Sequence, residues 1–363
     1  MDLERDALMA NLDDASKLTK IFMPFFNRER DHMERRNIRL AYYTHCETAN
    51  KLIRNQEFWL RDCRLMNDSK EVVHGIELID KYFSDENKSR KFKEALNSIS
   101  TGVAEKALAE FEKWKAVRKS ETYIMSFSRH APPESRFAHI EEEHGRLSMW
   151  RGYGGPQGVA LILKIPFSQR SNGKIMFFLS AVGYFDSVDE HLKEIAESIE
   201  AERAFLSTLP SDWLFNTTFL MLVMAATCLK HPGFADEDEW RLIYMPSTWK
   251  LDLVREEQVE IRLGHPEKVC KIYLNDFKEA GISGTDPNSL IERVIVGPGE
   301  FQGEIKGYIV DALKAASVSH PDDRVQLSGI GSSRLLKNPS QILGFSDSLG
   351  AGKHQGMWNA WHG

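Results

Sequence analysis

The sequence MWRGYGGPQGVALIL occupies residues 149–163 and combines the two features on which the fold prediction depends. Its last six residues, 158–163, are nearly all apolar, which is typical of a strand buried on both faces of a sheet. Its glycines precede this strand, whereas a dinucleotide-binding fingerprint needs them after a strand and at the start of a helix. Pro156 interrupts the spacing, and no Gly-Lys-Ser/Thr follows. We therefore interpret the glycines as a tight turn with a close backbone approach, in preference to a phosphate-binding loop.

Further strand-like segments occur on both sides of this one, and long helix-periodic segments separate them. The predicted strands are 39–44, 57–60, 122–128, 175–184, 239–244, 259–262 and 294–297. The predicted helical segments include 68–119 and most of 189–229, within which the apolar run 219–229 is too short to span a bilayer and indicates a buried helix. Strands separated by hairpin-length gaps or by helical insertions predict an α+β fold, because a regular alternation of strand and helix is absent.

The same pass along the chain predicts three parts. Residues 1–38 form an N-terminal helical extension, and residues 39–316 form the main α+β domain, with a helical insertion at 68–119. Residues 317–363 are rich in Ser, Gly and Asn and are expected to be a partly irregular tail.

Composition excludes several classes of protein. Of the 363 residues, 42% are hydrophobic and 28% are charged, which is an ordinary globular balance. The formal net charge of −6 disfavours nucleic acid or an anionic membrane as a partner. Four scattered cysteines and an acidic N-terminus without an apolar signal segment lead us to expect a cytoplasmic protein with no membrane association.

No short motif marks a metal site or a nucleophile. His139 and His144 lie five residues apart, whereas a metalloprotease helix needs histidines four apart on one face. The surrounding stretch 130–145 is polar and is predicted to be an exposed loop. We expect no metal, because no third ligand accompanies the two histidines. No Gly-x-Ser-x-Gly elbow or other motif marks a Ser or Cys as a nucleophile.

Four regions place polar or aromatic residues where a plain core strand would not have them. They are 42–45 (YYTH), 59–62 (WLRD) with 66–71 (MNDSKE), 126–128 (SFS) with 149–153 (MWRGY), and 237–241 (EDEWR). Taken singly, each has an ordinary structural explanation: Asn67 and Asp68 can cap a helix, Trp150 can be a core residue, and Glu239 can face solvent. Their joint presence favours a shared cleft.

These segments resemble the pattern of domain of unknown function 2971, a bacterial family, in order and approximate spacing over residues 40–300. The matching residues are Tyr43-Thr44, Trp59-Leu60, Asn67-Asp68 with Glu71, Ser126-Phe127-Ser128, Met149-Trp150 with Tyr153, Gly158-Val159, and Glu237 with Glu239-Trp240-Arg241. The chain departs from the pattern at His45, where the family has a small hydroxyl residue, and in the long insertion after Glu71.

The layout of that family is in turn similar to the ADP-ribosyltransferase architecture, in which three strands each supply one part of an NAD site. The resemblance implies a split β-sheet core with large helical insertions and NAD as the substrate. Cleavage of the nicotinamide–ribose bond passes through an oxocarbenium-like state, which a carboxylate stabilises. Glu239 is the candidate for that carboxylate, and Glu237, expected on the same strand face, would activate an acceptor.

The resemblance implies roles for the other motif residues as well. Tyr43 and Thr44 would hold the adenosine-side ribose, and Tyr153 or Trp150 would stack on nicotinamide. The remaining polar residues would position the ribose or meet a charge: Ser126 or Ser128 at the ribose, and Arg241 at a carboxylate or a phosphate.

Two functions therefore stay open from the sequence. The first is an NAD-using ADP-ribosyltransferase-like enzyme or NAD glycohydrolase, acting as a toxin or anti-phage effector. The second is a non-catalytic module that senses a nucleotide or binds a protein partner through helices 68–119. A nucleic-acid-processing protein is a weaker alternative, because the chain is acidic.

Overall fold

The computed structural model describes residues 12–65, 71–117, 122–166, 177–246, 254–262 and 265–330. The helices in these ranges are α1 Leu12–Phe22, α2 Pro24–Arg36, α3 Cys46–Asn55, α4 Glu71–Ser84, α5 Glu86–Asn97, α6 Val103–Val117, α7 Ala138–His144, α8 Leu147–Met149, α9 Asp189–Ala201, α10 Arg203–Leu206, α11 Ser211–Cys228, α12 Pro287–Leu290 and α13 Gln302–Ala315. The strands are β1 Arg39–His45, β2 Glu57–Asp62, β3 Tyr123–His130, β4 Gly158–Leu163, β5 Phe178–Ala181, β6 Gly183–Tyr184, β7 Leu229–Lys230, β8 Glu239–Tyr244, β9 Val254–Arg262, β10 His265–Tyr273, β11 Ile291–Val296 and β12 Val325–Leu327. Together they confirm the predicted α+β class.

Ten of the strands form one mixed sheet that branches at β3. The order is β12-β11-β4-β1-β3-β2-β10-β9, with β8 beside β3 and β5 beside β8. Along one edge of β3, residues 128–130 pair with β1 and residues 123–124 pair with β2. The other edge of β3 pairs with β8 over residues 123–128. The sheet is therefore split between β1 and β2, and β3 holds the two parts together.

Alternation along the strands divides the interior into two main cores. Met125, Phe127 and Trp240 point to one face, into a core that helices α3 and α13 cover. Ile124 and Ile243 point to the other face, into a core built mainly from helices. Its central element is α11, which packs against α4 and α6 and confirms the buried helix predicted from the apolar run.

Most predicted elements are present. The insertion is helical as α4, α5 and α6, although Asn67, Asp68 and residues 118–119 lie outside the described residues. Helices α1 and α2 confirm the helical character of the N-terminal part, and they pack on α9, α11 and β5. In the described part of the chain, no helix has both the length and the apolarity needed to cross a bilayer.

One prediction about an element was wrong and one strand was missed. The stretch 130–145 is not only a loop, because it contains α7, whose Glu141 is 9% exposed and faces Arg146. Strand β10 was missed, since its sequence HPEKVCKIY mixes proline and charges with the apolar residues. The segment predicted as a partly irregular tail contains β12, which pairs in parallel with β11 at the edge of the sheet. The domain boundaries as such stay a prediction, and residues 331–363 lie outside the described part.

Candidate functional site

Five of the nine predicted site residues lie on one face of the sheet. Ser128 is opposite both Ala41 and Glu239, and Ser126 is opposite Arg241, so these side chains share a face. Tyr43, two residues beyond Ala41, packs with it in one small core on that face. The convergence of β1, β3 and β8 that the sequence predicted is therefore present.

Thr44 is the exception on β1. It follows Tyr43 directly, so its side chain points to the opposite face, the one that Tyr42 shares with Phe127. The predicted joint role of Tyr43 and Thr44 on one ribose is wrong, because the sheet separates the two side chains.

The most buried part of the site is an ion pair on β8. Arg241 is 0% exposed and Glu239 is 5% exposed. The guanidinium binds the carboxylate through two hydrogen bonds, from Nε to Oε1 at 2.7 Å and from Nη2 to Oε2 at 3.0 Å. Arg241 Nη1 donates to the Thr227 carbonyl at 2.6 Å. Burial opposes ionisation of Glu239, but the positive charges of Arg241 and Lys230 outweigh it and lower the pKa of that carboxyl.

Glu237 is not on the strand, which corrects the expectation that it shares a strand face with Glu239. It ends a 3₁₀ helix, Pro232–Glu237, and Asp238 then turns the chain into β8 with a φ of 48°. Its carboxylate nevertheless reaches the same network, because it accepts hydrogen bonds from Tyr153 Oη at 2.9 Å and from Lys230 Nζ at 2.6 Å.

Lys230 is the residue that joins the two carboxylates. Its Nζ lies 3.4 Å from Glu239 Oε2 as well as 2.6 Å from Glu237, and its side chain is only 2% exposed. The sequence gives no signal for this role, since Lys230 is a single lysine after an apolar helix. The buried ammonium therefore places one positive charge beside both carboxylates.

Arg146 connects this network to the first strand. Its backbone N–H donates to Tyr43 Oη at 2.8 Å, and its Nη1 donates to Ser128 Oγ at 3.0 Å. Ser128 Oγ donates in turn to the Glu237 carbonyl at 2.6 Å. Burial raises the pKa of Tyr43 to about 12, so the phenol stays protonated. For Arg146, burial would lower the pKa, but the Glu141 carboxylate raises it overall and holds the guanidinium charged.

Trp150 is held by the glycines of the turn. Residues 150–154 form a π-helical turn, a feature that is common at functional sites. A Cβ on Gly154 or on Gly297 would lie 2.8 Å from Trp150 Cε3. The close backbone approach predicted for the glycine-rich segment is thus confirmed, and the neighbouring group is this indole. Because Trp150 is 3% exposed and packs edge-on against Tyr43 at 4.8 Å, it has no free face for nicotinamide.

The solvent-exposed fraction of the side chains decreases from the Tyr153 and Glu237 end of the network to the Arg241 end. The Glu237 side chain is 17% exposed, Tyr153 is half-buried and Arg151 is exposed, whereas Lys230, Glu239 and Arg241 are buried. The Ser126 hydroxyl is buried at the inner end beside the Glu239 carboxylate, and it helps to lower the pKa of that carboxyl. A ligand from solvent would therefore meet Tyr153 and Glu237 before it met Glu239. The described residues contain no group of three or more His, Cys, Asp or Glu side chains that could hold a metal ion.

The fold and the site together define an α+β protein with a split sheet and a charged hydrogen-bonded network that runs from β1 to β8. Residues 149–242 match the family model described as "Protein of unknown function (DUF2971)". The match agrees with the family resemblance that the motifs predicted, and it covers this segment of the chain. The matched segment contains Trp150, Tyr153, Glu237, Glu239 and Arg241, whereas the predicted site residues on β1 and β3 lie outside it. Searches of curated proteins and of solved structures returned no match.

Proposed function

We propose that this protein is an NAD-using enzyme of the ADP-ribosyltransferase type, whose substrate binds where Tyr153 and Glu237 reach the surface. One observation carries the proposal: a continuous set of hydrogen bonds joins Tyr43 on β1, through Arg146 and Ser128, to Glu237 and the end of β8. A split sheet that brings three strands to one site is also what the resemblance implies.

In this proposal Glu237 takes the role that the sequence analysis gave to Glu239. Glu237 is the carboxylate that a substrate can reach, because its side chain is 17% exposed while that of Glu239 is 5% exposed. Glu239 is a positioning residue, since it holds Arg241 and helps to hold Lys230 beside Glu237. Tyr153 is the aromatic residue left to contact nicotinamide, and the exposed Arg151 offers a cation for the pyrophosphate.

The chemistry needs only a well-placed negative charge and an acceptor. The bond between ribose and nicotinamide breaks with its electron pair leaving on nicotinamide, and Glu237 stabilises the oxocarbenium-like ribose. An acceptor hydroxyl or water then bonds to the ribose carbon and transfers its proton to the Glu237 carboxylate or to solvent water. The hydrogen bonds from Tyr153 and Lys230 fix the Glu237 carboxylate before the substrate arrives.

The test follows nicotinamide release from NAD by the purified full-length chain. Glu237→Gln should lower the rate by about 10²–10³-fold, the effect of removing one electrostatic stabiliser of a transition state. Asp236→Asn is the matched control, because it removes an adjacent, exposed carboxylate and should leave the rate unchanged. The proposal is refuted if the wild-type protein releases no nicotinamide from NAD and NAD causes no rise in its melting temperature.

A second candidate is a nucleotide-sensing module without catalysis. It is favoured by the closed Glu239–Arg241 pair, in which both charges are satisfied inside the protein. It requires that NAD raises the melting temperature while no nicotinamide is released. The toxin or anti-phage role and a protein partner on helices α4–α6 stay predictions for either function.

A further inference from the structure

A cavity lies among the helices that pack against β5. It has a volume of about 370 Å³ and is enclosed by α1, α2, α9, α11 and β5. This volume is within the range of about 300–1,000 Å³ that is usual for small-molecule sites. None of the nine predicted site residues lines it.

Its walls are mainly aromatic and aliphatic. The lining includes Phe22, Phe25, Phe178, Phe185, Trp213 and Met221. An apolar space of this size favours an apolar ligand, because burying each methylene contributes about 0.8 kcal/mol. The apolar residues alone do not specify which ligand binds. The polar groups of the lining indicate its chemical class.

His191 is the polar group that points to a ligand. It lines the cavity, and its Nδ1 is buried without a hydrogen-bond partner among the described residues. Its ring lies against Phe185, with the centroids 4.0 Å apart, and edge-on to Phe25 at 6.2 Å. By contrast, two lining hydroxyls are already bonded to the backbone: Thr19 donates to the Ala15 carbonyl at 2.8 Å and Ser180 to the Ala181 carbonyl at 3.0 Å.

The missing hydrogen bond at His191 Nδ1 has a cost in free energy. A buried polar atom without a partner costs about 1–3 kcal/mol, and a ligand head group that bonds to it removes that cost. Arg30 also lines the cavity; it has an interaction partner within the protein, and its guanidinium places a positive charge in the wall. A buried imidazole nitrogen and a guanidinium in an otherwise apolar space match a molecule with one apolar tail and one carboxylate.

We propose that this cavity binds a fatty acid of medium chain length, with the tail among the phenylalanines and the carboxylate between His191 and Arg30. The site is independent of the proposed enzymatic function, because the two share no residue. Glu237→Gln should therefore leave fatty-acid binding unchanged, and failure of either proposal leaves the other standing.

Titration of the full-length chain with laurate in a calorimeter tests the proposal. Ala225→Phe fills the cavity from α11 and should weaken laurate binding by about tenfold or more. Asn216→Phe is the matched control, since it adds the same ring to an exposed position of the same helix that does not line the cavity. It should leave the affinity unchanged.

Methyl laurate, which keeps the tail but lacks the negative charge, tests the head group on the wild-type protein. We expect it to bind about tenfold more weakly than laurate, and His191→Leu to weaken laurate by a similar factor. Absence of laurate binding, equal effects of the two phenylalanine variants, or equal affinity for laurate and its methyl ester would each overturn the proposal. The ester comparison decides the head group even if the His191 variant does not fold.

Discussion

Glu239→Gln isolates the ion pair at the inner end of the network. The substitution keeps the shape of the side chain but removes its charge and places an amide N–H₂ against the Arg241 guanidinium. Arg241 is 0% exposed, so water cannot take over the two hydrogen bonds of 2.7 Å and 3.0 Å that it makes to the carboxylate. Breaking a buried pair by removing one partner costs about 3–5 kcal/mol. We expect a loss of this size in the free energy of unfolding, measured by urea titration.

The pH dependence gives a second measure of the same interaction. Because the pKa of Glu239 is lower in the folded protein than in the unfolded chain, its contribution is complete above the ordinary glutamate pKa of about 4.3. The contribution is lost as the pH falls towards the folded value. The difference in the free energy of unfolding between wild type and Glu239→Gln should therefore be constant above about pH 4.3 and decrease as the pH falls below that value.

Two controls make the prediction specific. Glu190→Gln removes an exposed carboxylate, 84% accessible, whose partner Lys193 is 3.5 Å away, and it should leave stability unchanged. Arg241→Met in the Glu239→Gln background should cost less than the two single substitutions added together, because the second change removes the charge that the first left unpaired. A cost below about 1 kcal/mol for Glu239→Gln, or a difference that does not decrease below about pH 4.3, would refute the reasoning.

Two further predictions concern packing and thiol access. Gly75→Ala would place a Cβ 2.4 Å from the Ala226 carbonyl oxygen, where α4 meets α11, and should destabilise the protein by about 1–3 kcal/mol in thermal unfolding. Gly303→Ala has no atom within 4 Å and should instead raise stability by about 0.4–1 kcal/mol, so equal effects would contradict the packing argument. Iodoacetamide should label the half-buried Cys46 first in the native protein. It should not label Cys228, because burial raises the pKa of that thiol to about 11; early labelling of Cys228 in mass spectra would contradict its burial.

Local patterns were enough to predict much of the fold. The apolar hexapeptide at 158–163 is a fully buried strand, and the run at 219–229 lies largely in the buried helix α11. Both predictions succeeded because burial of apolar side chains dominates the choice of structure in such segments. Strand β10 could not be predicted in the same way. Its charged residues are satisfied by partners far along the chain, as when Lys271 pairs with Glu57 on β2.

The sequence likewise indicated some features of the candidate site and not others. The ordered motifs and the resemblance indicated that Tyr43, Ser128 and Glu239 would meet. Alternation along the predicted strand already places Thr44 on the opposite face from Tyr43, so a joint role of the two side chains did not fit that strand. The sequence could not indicate that the turn at Asp238 takes Glu237 off the strand.

The sequence by itself determined the α+β class, the resemblance to the family matched over residues 149–242, and the strands that supply the site. Tertiary structure decided which carboxylate is reachable, since the burial of Glu239 depends on Lys230 and Arg241 together. Burial and charge pairing are properties of the assembled interior: they depend on groups brought together by folding, and no local pattern of residues records them.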